Sequence, residues 1–179
     1  VSDALAELIS RERLAARVAE LAEQINADYR GREQDLLLVG VLKGCFLFMA
    51  DLLRHLEFSP AIDFMRLASY GPDTETSGVV EIRKDVEIPV AGRDVLIVED
   101  IIDTGLTLDY LRRHLMAGSP KSVRICTLLD KPARRKVSLV ADYVGFTIGD
   151  DFVVGYGLDY HERHRGRPSI CVLNPDSDE

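Results

Sequence analysis

The chain has 179 residues, 46% of them hydrophobic, a formal net charge of −8 and a sequence pI near 5.0. That length suits one well-buried core, so residues 1–179 are expected to form a single domain. The acidic balance argues against nucleic acid and anionic membrane as partners, because affinity for both rests on Lys and Arg neutralising phosphate.

In chain order, SRERLAARVAELAEQI carries Leu14, Val18, Leu21 and Ile25 on one helical face, with Ser10 as N-cap and Gly31 as stop. DLLLVGVLKG then reads as a buried strand closed by glycine, and CFLFMADLLRHL as the helix that follows it. AIDFMRLASY is strand-like and runs into the turn-rich GPDTETSG, a loop by composition. VVEIRKD alternates apolar and polar residues as an edge strand does, and VAGRDVLIVED gives a turn and then a strongly apolar strand. A helix from about Thr107 to Leu115 stops at AGSP, and SVRICTLLDK begins the next strand. DYVGFTI and FVVGYGLDY are further apolar segments, followed by the basic HERHRGR and a last strand, SICVL. Strands alternating with helices predict a three-layer α/β domain with a mainly parallel sheet. No signal-peptide pattern or apolar run of transmembrane length is present, and the expectation is a soluble, cytoplasmic protein. Cys45, Cys126 and Cys171 sit far apart in apolar runs, which is core usage in a reducing compartment.

The stretch VLIVEDIIDTGLTL, Val95 to Leu108, concentrates the chemistry. Ligands of open α/β sheets bind at the carboxyl ends of strands, where helix N-termini also point. DTGLT sets Gly105 between the hydroxyls of Thr104 and Thr107 at a helix start, a nest for one phosphate. Glu99 and Asp100, just before it, cannot hold phosphate; adjacent carboxylates suit sugar hydroxyls or a Mg2+ ion. Together they point to a phosphorylated sugar.

These residues resemble the phosphoribosyl pyrophosphate motif of type I phosphoribosyltransferases, and within that group the chain is similar to the purine-salvage hypoxanthine-guanine phosphoribosyltransferases. The resemblance runs from ISRERLAARVAEL to SICVL. It implies the family fold, a central mainly parallel sheet flanked by helices with a small hood contributed by terminal segments. It also implies Mg2+ as cofactor and a homodimer or homotetramer. Phosphoribosyl pyrophosphate, hypoxanthine and guanine would be the substrates, with IMP, GMP and pyrophosphate as products.

By position, Glu99 and Asp100 match the acids that hold ribose hydroxyls and Mg2+. Asp103, Thr104, Gly105, Leu106 and Thr107 match the 5′-phosphate cradle. Leu106 stands where some relatives carry a cation. Asp103 matches the residue that exchanges a proton with a purine ring nitrogen. Lys43 and Gly44, in VLKG, match a pyrophosphate loop in which the bond before the lysine can be cis. Ser69 and Tyr70 head SYGPDTETSG, which matches a lid closing over the reaction. Lys131 matches the lysine that reads the 6-oxo group, Phe152 the ring that stacks on the purine, and Val153 a source of backbone polar contacts. Asp159 matches a residue near the base's 2-position and a second Mg2+. Arg165 matches a pyrophosphate-binding arginine, with Arg167 as a competing cation. On its own, Phe152 reads as a core aromatic, VLKG as a strand end with a surface lysine, and HERHRGR as a solvated stretch in which His161 and His164 could share a helix face.

Overall fold

The computed structural model describes residues 5–69 and 80–173. Ser69 ends a strand, whereas Tyr70 and the rest of the expected lid lie outside the described residues. The elements are β1 (Leu5–Ile9), α1 (Arg11–Tyr29), β2 (Leu36–Leu42), α2 (Phe46–His55), β3 (Ala61–Ser69), β4 (Val80–Lys84), β5 (Asp94–Ile102), α3 (Leu106–Ala117), β6 (Ser122–Asp130), β7 (Tyr143–Thr147), β8 (Val153–Val154) and β9 (Ile170–Leu173).

The larger sheet runs β4-β3-β2-β5-β6-β7, and only the β3–β4 pairing is antiparallel. Strands alternate their side chains between faces, so each apolar run feeds two cores. Leu36, Leu38, Leu96, Val98 and Leu128 pack with Leu14, Val18, Leu21 and Ile25 of α1 and with Phe48, Met49 and Leu52 of α2. Leu37, Val39, Val95, Ile97 and Ile125 pack on the other face with Leu108, Leu111 and Leu115 of α3. The result is the expected three layers. Helix α1 starts where its cap predicts, the Ser10 hydroxyl accepting from Arg13 N at 3.3 Å, and Gly31 takes φ +83° just past its end.

A second, antiparallel sheet, β1-β9-β8, joins the two ends of the described chain as a small hood. No strand was expected before Ser10. β1 lacks a clean alternation and exists because β9 offers it a partner distant in sequence. FVVGYGLDY contributes only two strand residues before positive φ at Gly155, Tyr156 and Gly157 turns the chain away. His161 and His164 also have positive φ and sit in turns, so they share no helix face.

The connections out of β2 and β5 diverge. β2 leads through α2 to β3 on one side, and β5 leads through α3 to β6 on the other. This topological switch point opens a crevice at the carboxyl ends of two adjacent strands.

Asp63 secures the far side of the sheet. Its buried carboxylate accepts from the N–H groups of Phe64 (2.7 Å), Glu87 (2.6 Å) and Ile88 (2.9 Å), with Lys84 Nζ at 3.4 Å. Burial pushes its pKa up, but the three N–H donors and the lysine outweigh burial and hold it below the ordinary carboxylate value. Asp63→Ala therefore leaves buried donors unpaired and should cost about 1–3 kcal/mol in denaturant unfolding. A depressed pKa stabilises the fold above the unfolded-state pKa, and that contribution is lost as pH falls through the folded value. The gap between wild type and variant should therefore close in acid.

Candidate active site

Two loops meet at the switch point. After β2 the Leu42–Lys43 peptide bond is cis, and Gly44 lies buried against the end of β5. A Cβ at Gly44 would overlap the Asp100 carboxylate, and a Cβ at Gly157 would overlap the Gly44 carbonyl. Glycine at both places lets the β2 loop, the β5 acids and the turn after β8 close on one another.

The second loop is Asp103 to Gly105. Gly105 has φ +81° and a Cβ there would press on the Arg135 side chain. No side chain caps α3, and only a long 3.5 Å contact joins Leu106 N to the Thr104 hydroxyl, so its first N–H groups remain for an anion. Glu99, Asp103, Thr104, Gly105 and Thr107 line a cavity of about 120 Å³ at this helix end.

A second cavity, of about 260 Å³, adjoins it and shares Ile101 and Asp103. Asp100, Lys131, Phe152, Val153, Leu158 and Asp159 complete its lining. Lys131 is buried, and its ammonium donates to the Asp151 carbonyl at 2.6 Å, which leaves two further donors. Phe152 is 45% exposed and packs edge-on against Tyr160, with ring centroids 5.6 Å apart. The reading of Phe152 as a core aromatic is thereby corrected: the short β8 leaves the ring at the cavity. Leu173 N donates to the Phe152 carbonyl at 2.9 Å, and in that register Val153 turns its own N–H and C=O away from β9, at the sheet's open edge.

Glu99 and Asp100 stand between the cavities. Burial first, then the charge on Asp100, pushes the Glu99 carboxyl well above its usual range. Burial also raises Asp100, opposed by hydrogen bonds from Glu99 and from Ile101 N and by the charge of Arg165. Among the described residues no basic side chain relieves Glu99 directly, so a hard cation with oxygen ligands fits the pair. Among the described residues no three or more His, Cys, Asp or Glu side chains gather as a metal cage. The expected ligands Glu99, Asp100 and Asp159 thus do not form one cluster, an arrangement suited to an ion that keeps waters and phosphate oxygens in its shell.

The phosphoribosyl transferase domain matches residues 5–161. The chain belongs to the phosphoribosyltransferase family. It is 51% identical over 172 residues to the hypoxanthine-guanine phosphoribosyltransferase of Mycobacterium bovis, covering 94% of this chain and 85% of that one. It is 49% identical over 163 residues to the hypoxanthine phosphoribosyltransferase of Escherichia coli, covering 91% and 92%. A solved Bacillus anthracis hypoxanthine-guanine phosphoribosyltransferase superposes with a TM-score of 0.89 at 49% identity, covering 94% of this chain and 98% of that one. A Staphylococcus aureus hypoxanthine phosphoribosyltransferase gives 0.91 at 43%, covering 97% and 93%.

In this phosphoribosyltransferase the two candidate arginines part company. Arg165 turns into the site: it donates to the Gly157 carbonyl at 2.8 Å and meets Asp159 at 2.7 Å, and its buried Nε has no hydrogen-bond partner among the described residues. Arg167 instead bonds His164 and lines a separate cavity against Leu14, Val18 and Asp51. Asp159 also accepts from Glu162 N at 2.9 Å, so its carboxylate is committed to the turn and to Arg165.

Several residues of the site escaped the sequence reading. Arg134 Nε lies 2.7 Å from Asp103 Oδ1, and its other end donates to Asp150 at 2.9 Å. Arg135 donates to the Asp103 carbonyl at 3.2 Å and pairs with Asp130, while Lys136 N donates to the Thr104 carbonyl at 2.9 Å. The run KPARRK thus braces the Asp103–Gly105 loop, and its charge density beside Lys131 was the available signal. Glu162, which meets Lys43 at 2.7 Å, carried none. Cys45 is buried, and burial and then the charges of Glu99 and Asp100 push its thiol above the ordinary range, which disfavours the thiolate.

A raised carboxyl pKa destabilises the fold progressively as pH climbs from the unfolded value to the folded one. In metal-free buffer, Glu99→Gln should therefore melt higher than wild type at pH 8 and equally at pH 4. A variant that melts lower at pH 8 would contradict the electrostatic reading of the pair.

Proposed function

We propose that this phosphoribosyltransferase moves the 5-phosphoribosyl group of phosphoribosyl pyrophosphate onto N9 of hypoxanthine or guanine, giving IMP or GMP and pyrophosphate in purine salvage. One observation carries the reading: a nest for a single phosphate at the α3 N-terminus adjoins a cavity holding both a buried lysine and an exposed aromatic ring, and Asp103 borders both. The names of the relatives point the same way.

In this reading the 5′-phosphate sits on the N–H groups of Gly105 to Thr107 and the Thr104 and Thr107 hydroxyls, and the ribose hydroxyls face Glu99 and Asp100. The C1′–O bond to pyrophosphate breaks as C1′–N9 forms, and the purine ring proton passes to Asp103. Lys43, the Gly44 N–H and Arg165 stabilise the charge that leaves on pyrophosphate. Lys131 donates to the 6-oxo group, a contact that adenine's amino group cannot accept. Phe152 stacks on the base, Val153 offers backbone groups to its edge, and Asp159 lies toward its 2-position. The segment headed by Ser69 and Tyr70 closes over the site and excludes water. We assign Mg2+ to Glu99 and Asp100, with a second ion near Asp159; bound Mg2+ neutralises pyrophosphate charge and so makes it a better leaving group.

A cytoplasmic setting belongs to the same reading and rests on three buried, unpaired cysteines and on the lack, among the described residues, of any helix long and apolar enough to cross a membrane. So does assembly as a homodimer or homotetramer, which light scattering would test.

The decisive assay is nucleotide formation with Mg2+ and phosphoribosyl pyrophosphate, offering hypoxanthine, guanine, xanthine and adenine separately. Product from hypoxanthine and none from adenine is expected; no product from any base would overturn the reading. Asp103→Asn should lower kcat about 10²- to 10⁴-fold while nucleotide binding changes far less. Equal turnover would remove Asp103 from the proton transfer.

A further inference from the structure

Beyond the substrate site, the turn that follows Asp159 holds a carboxylate in an unusual way. Tyr160 and Arg163 close a two-residue turn, Tyr160 N donating to the Arg163 carbonyl at 3.2 Å and Arg163 N to the Tyr160 carbonyl at 2.9 Å. Its central residues, His161 and Glu162, both have positive φ, +48° and +64°. That is the pattern of a type I′ turn, where Gly, Asn and Asp are the residues that fit without steric cost. A glutamate here is out of place on backbone grounds alone, and such outliers concentrate where a side chain has a task.

The Glu162 carboxylate reaches across to the β2 loop. It accepts from Lys43 Nζ at 2.7 Å and stands 3.4 Å from Arg165 NH2, while its own N–H donates to Asp159. Lys43 and Arg165 come from segments 122 positions apart in the chain, and Glu162 is the acid that joins them. Both are the side chains to which pyrophosphate is assigned above. A carboxylate on two cations offers the same chemistry as one phosphate oxygen pair, at lower charge.

We propose that Glu162 is a displaceable counter-ion that occupies the pyrophosphate cations when pyrophosphate is away and retakes them as it leaves. The inference rests on the proposed role of Lys43 and Arg165. Glu162 and Lys43 are both substantially exposed, so the pair is weak enough for a multiply charged ligand to displace. In the free protein the pair keeps Lys43 and Arg165 together, and on product departure it spares them an uncompensated approach to each other. Glu162 touches no reacting atom and is a positioning residue.

Calorimetric titration of the full chain with magnesium pyrophosphate tests this. Glu162→Gln should bind pyrophosphate about two- to fivefold more tightly than wild type, since an exposed ion pair no longer competes. The gain should shrink in high salt. Glu162→Asp, which keeps the charge, should stay near wild type. In turnover, Glu162→Gln should lower KM for phosphoribosyl pyrophosphate and lower kcat as pyrophosphate leaves more slowly, a split that loss of local structure would not produce. Glu162→Gly, which suits the left-handed backbone, repeats the measurement without strain should the glutamine variant fold poorly. Unchanged or weaker pyrophosphate binding by folded Glu162→Gln and Glu162→Gly would overturn the proposal. Lys43→Ala and Arg165→Ala run beside them separate the two levels. If these weaken binding and the Glu162 variants do not tighten it, the counter-ion idea alone fails. If neither weakens binding, the pyrophosphate site is wrong and the proposal falls with it.

Discussion

Glu99 and Asp100 are adjacent acids near the end of β5, one of the two central strands, and the environment around them disfavours two negative charges. Everything near the crevice is arranged about that cost. Gly44 surrenders its side chain so that the Asp100 carboxylate can lie against the β2 loop, and Gly157 does the same for the Gly44 carbonyl. Arg165 supplies partial relief from the hood side. Apolar residues here would make a more stable core, and in the proposed reading the cost of the pair is offset when a cation and a polyhydroxylated ligand bind.

The topology makes this local arrangement possible. Because the chain leaves β2 and β5 in opposite directions, their carboxyl ends are uncovered by any crossover, and both loops can bend inward. α3 then points an uncapped N-terminus at the crevice, and the hood sheet, built from segments at both ends of the described chain, carries Phe152, Val153, Asp159 and Arg165 over it. In the proposed reading the large sheet and α3 hold the ribose and the 5′-phosphate, while the base is met from both sides, by Lys131 just after β6 and by Phe152, Val153 and Asp159 from the hood.

Most of this was legible in the sequence because it depends on local pattern. The 3.6-residue period of α1, the closed apolar runs of β2 and β5 and the Gly105 nest each announce themselves within a dozen residues. Lys131, Phe152 and Asp159 needed the family resemblance, since nothing in their spacing separates them from ordinary surface or core residues. The illegible parts depend on partners far along the chain. β1 is a strand through β9, Arg134 matters through Asp103 and Asp150, and Glu162 matters through Lys43. The choice between Arg165 and Arg167 was likewise undecidable from two arginines in one basic run; the left-handed turns between Gly155 and His164 send one inward and the other toward α1.

Burial and mutual repulsion disfavour the doubly ionised Glu99–Asp100 pair, and in the proposed reading a divalent cation with phosphoribosyl pyrophosphate offsets that cost. Calorimetry of phosphoribosyl pyrophosphate binding near pH 7, repeated in buffers of different ionisation enthalpy with Mg2+ and with chelator, reads this directly. The account predicts binding that depends on Mg2+ and releases protons to the buffer, with the release lost in Glu99→Gln. Equally tight binding in chelator, with no proton released, would contradict it.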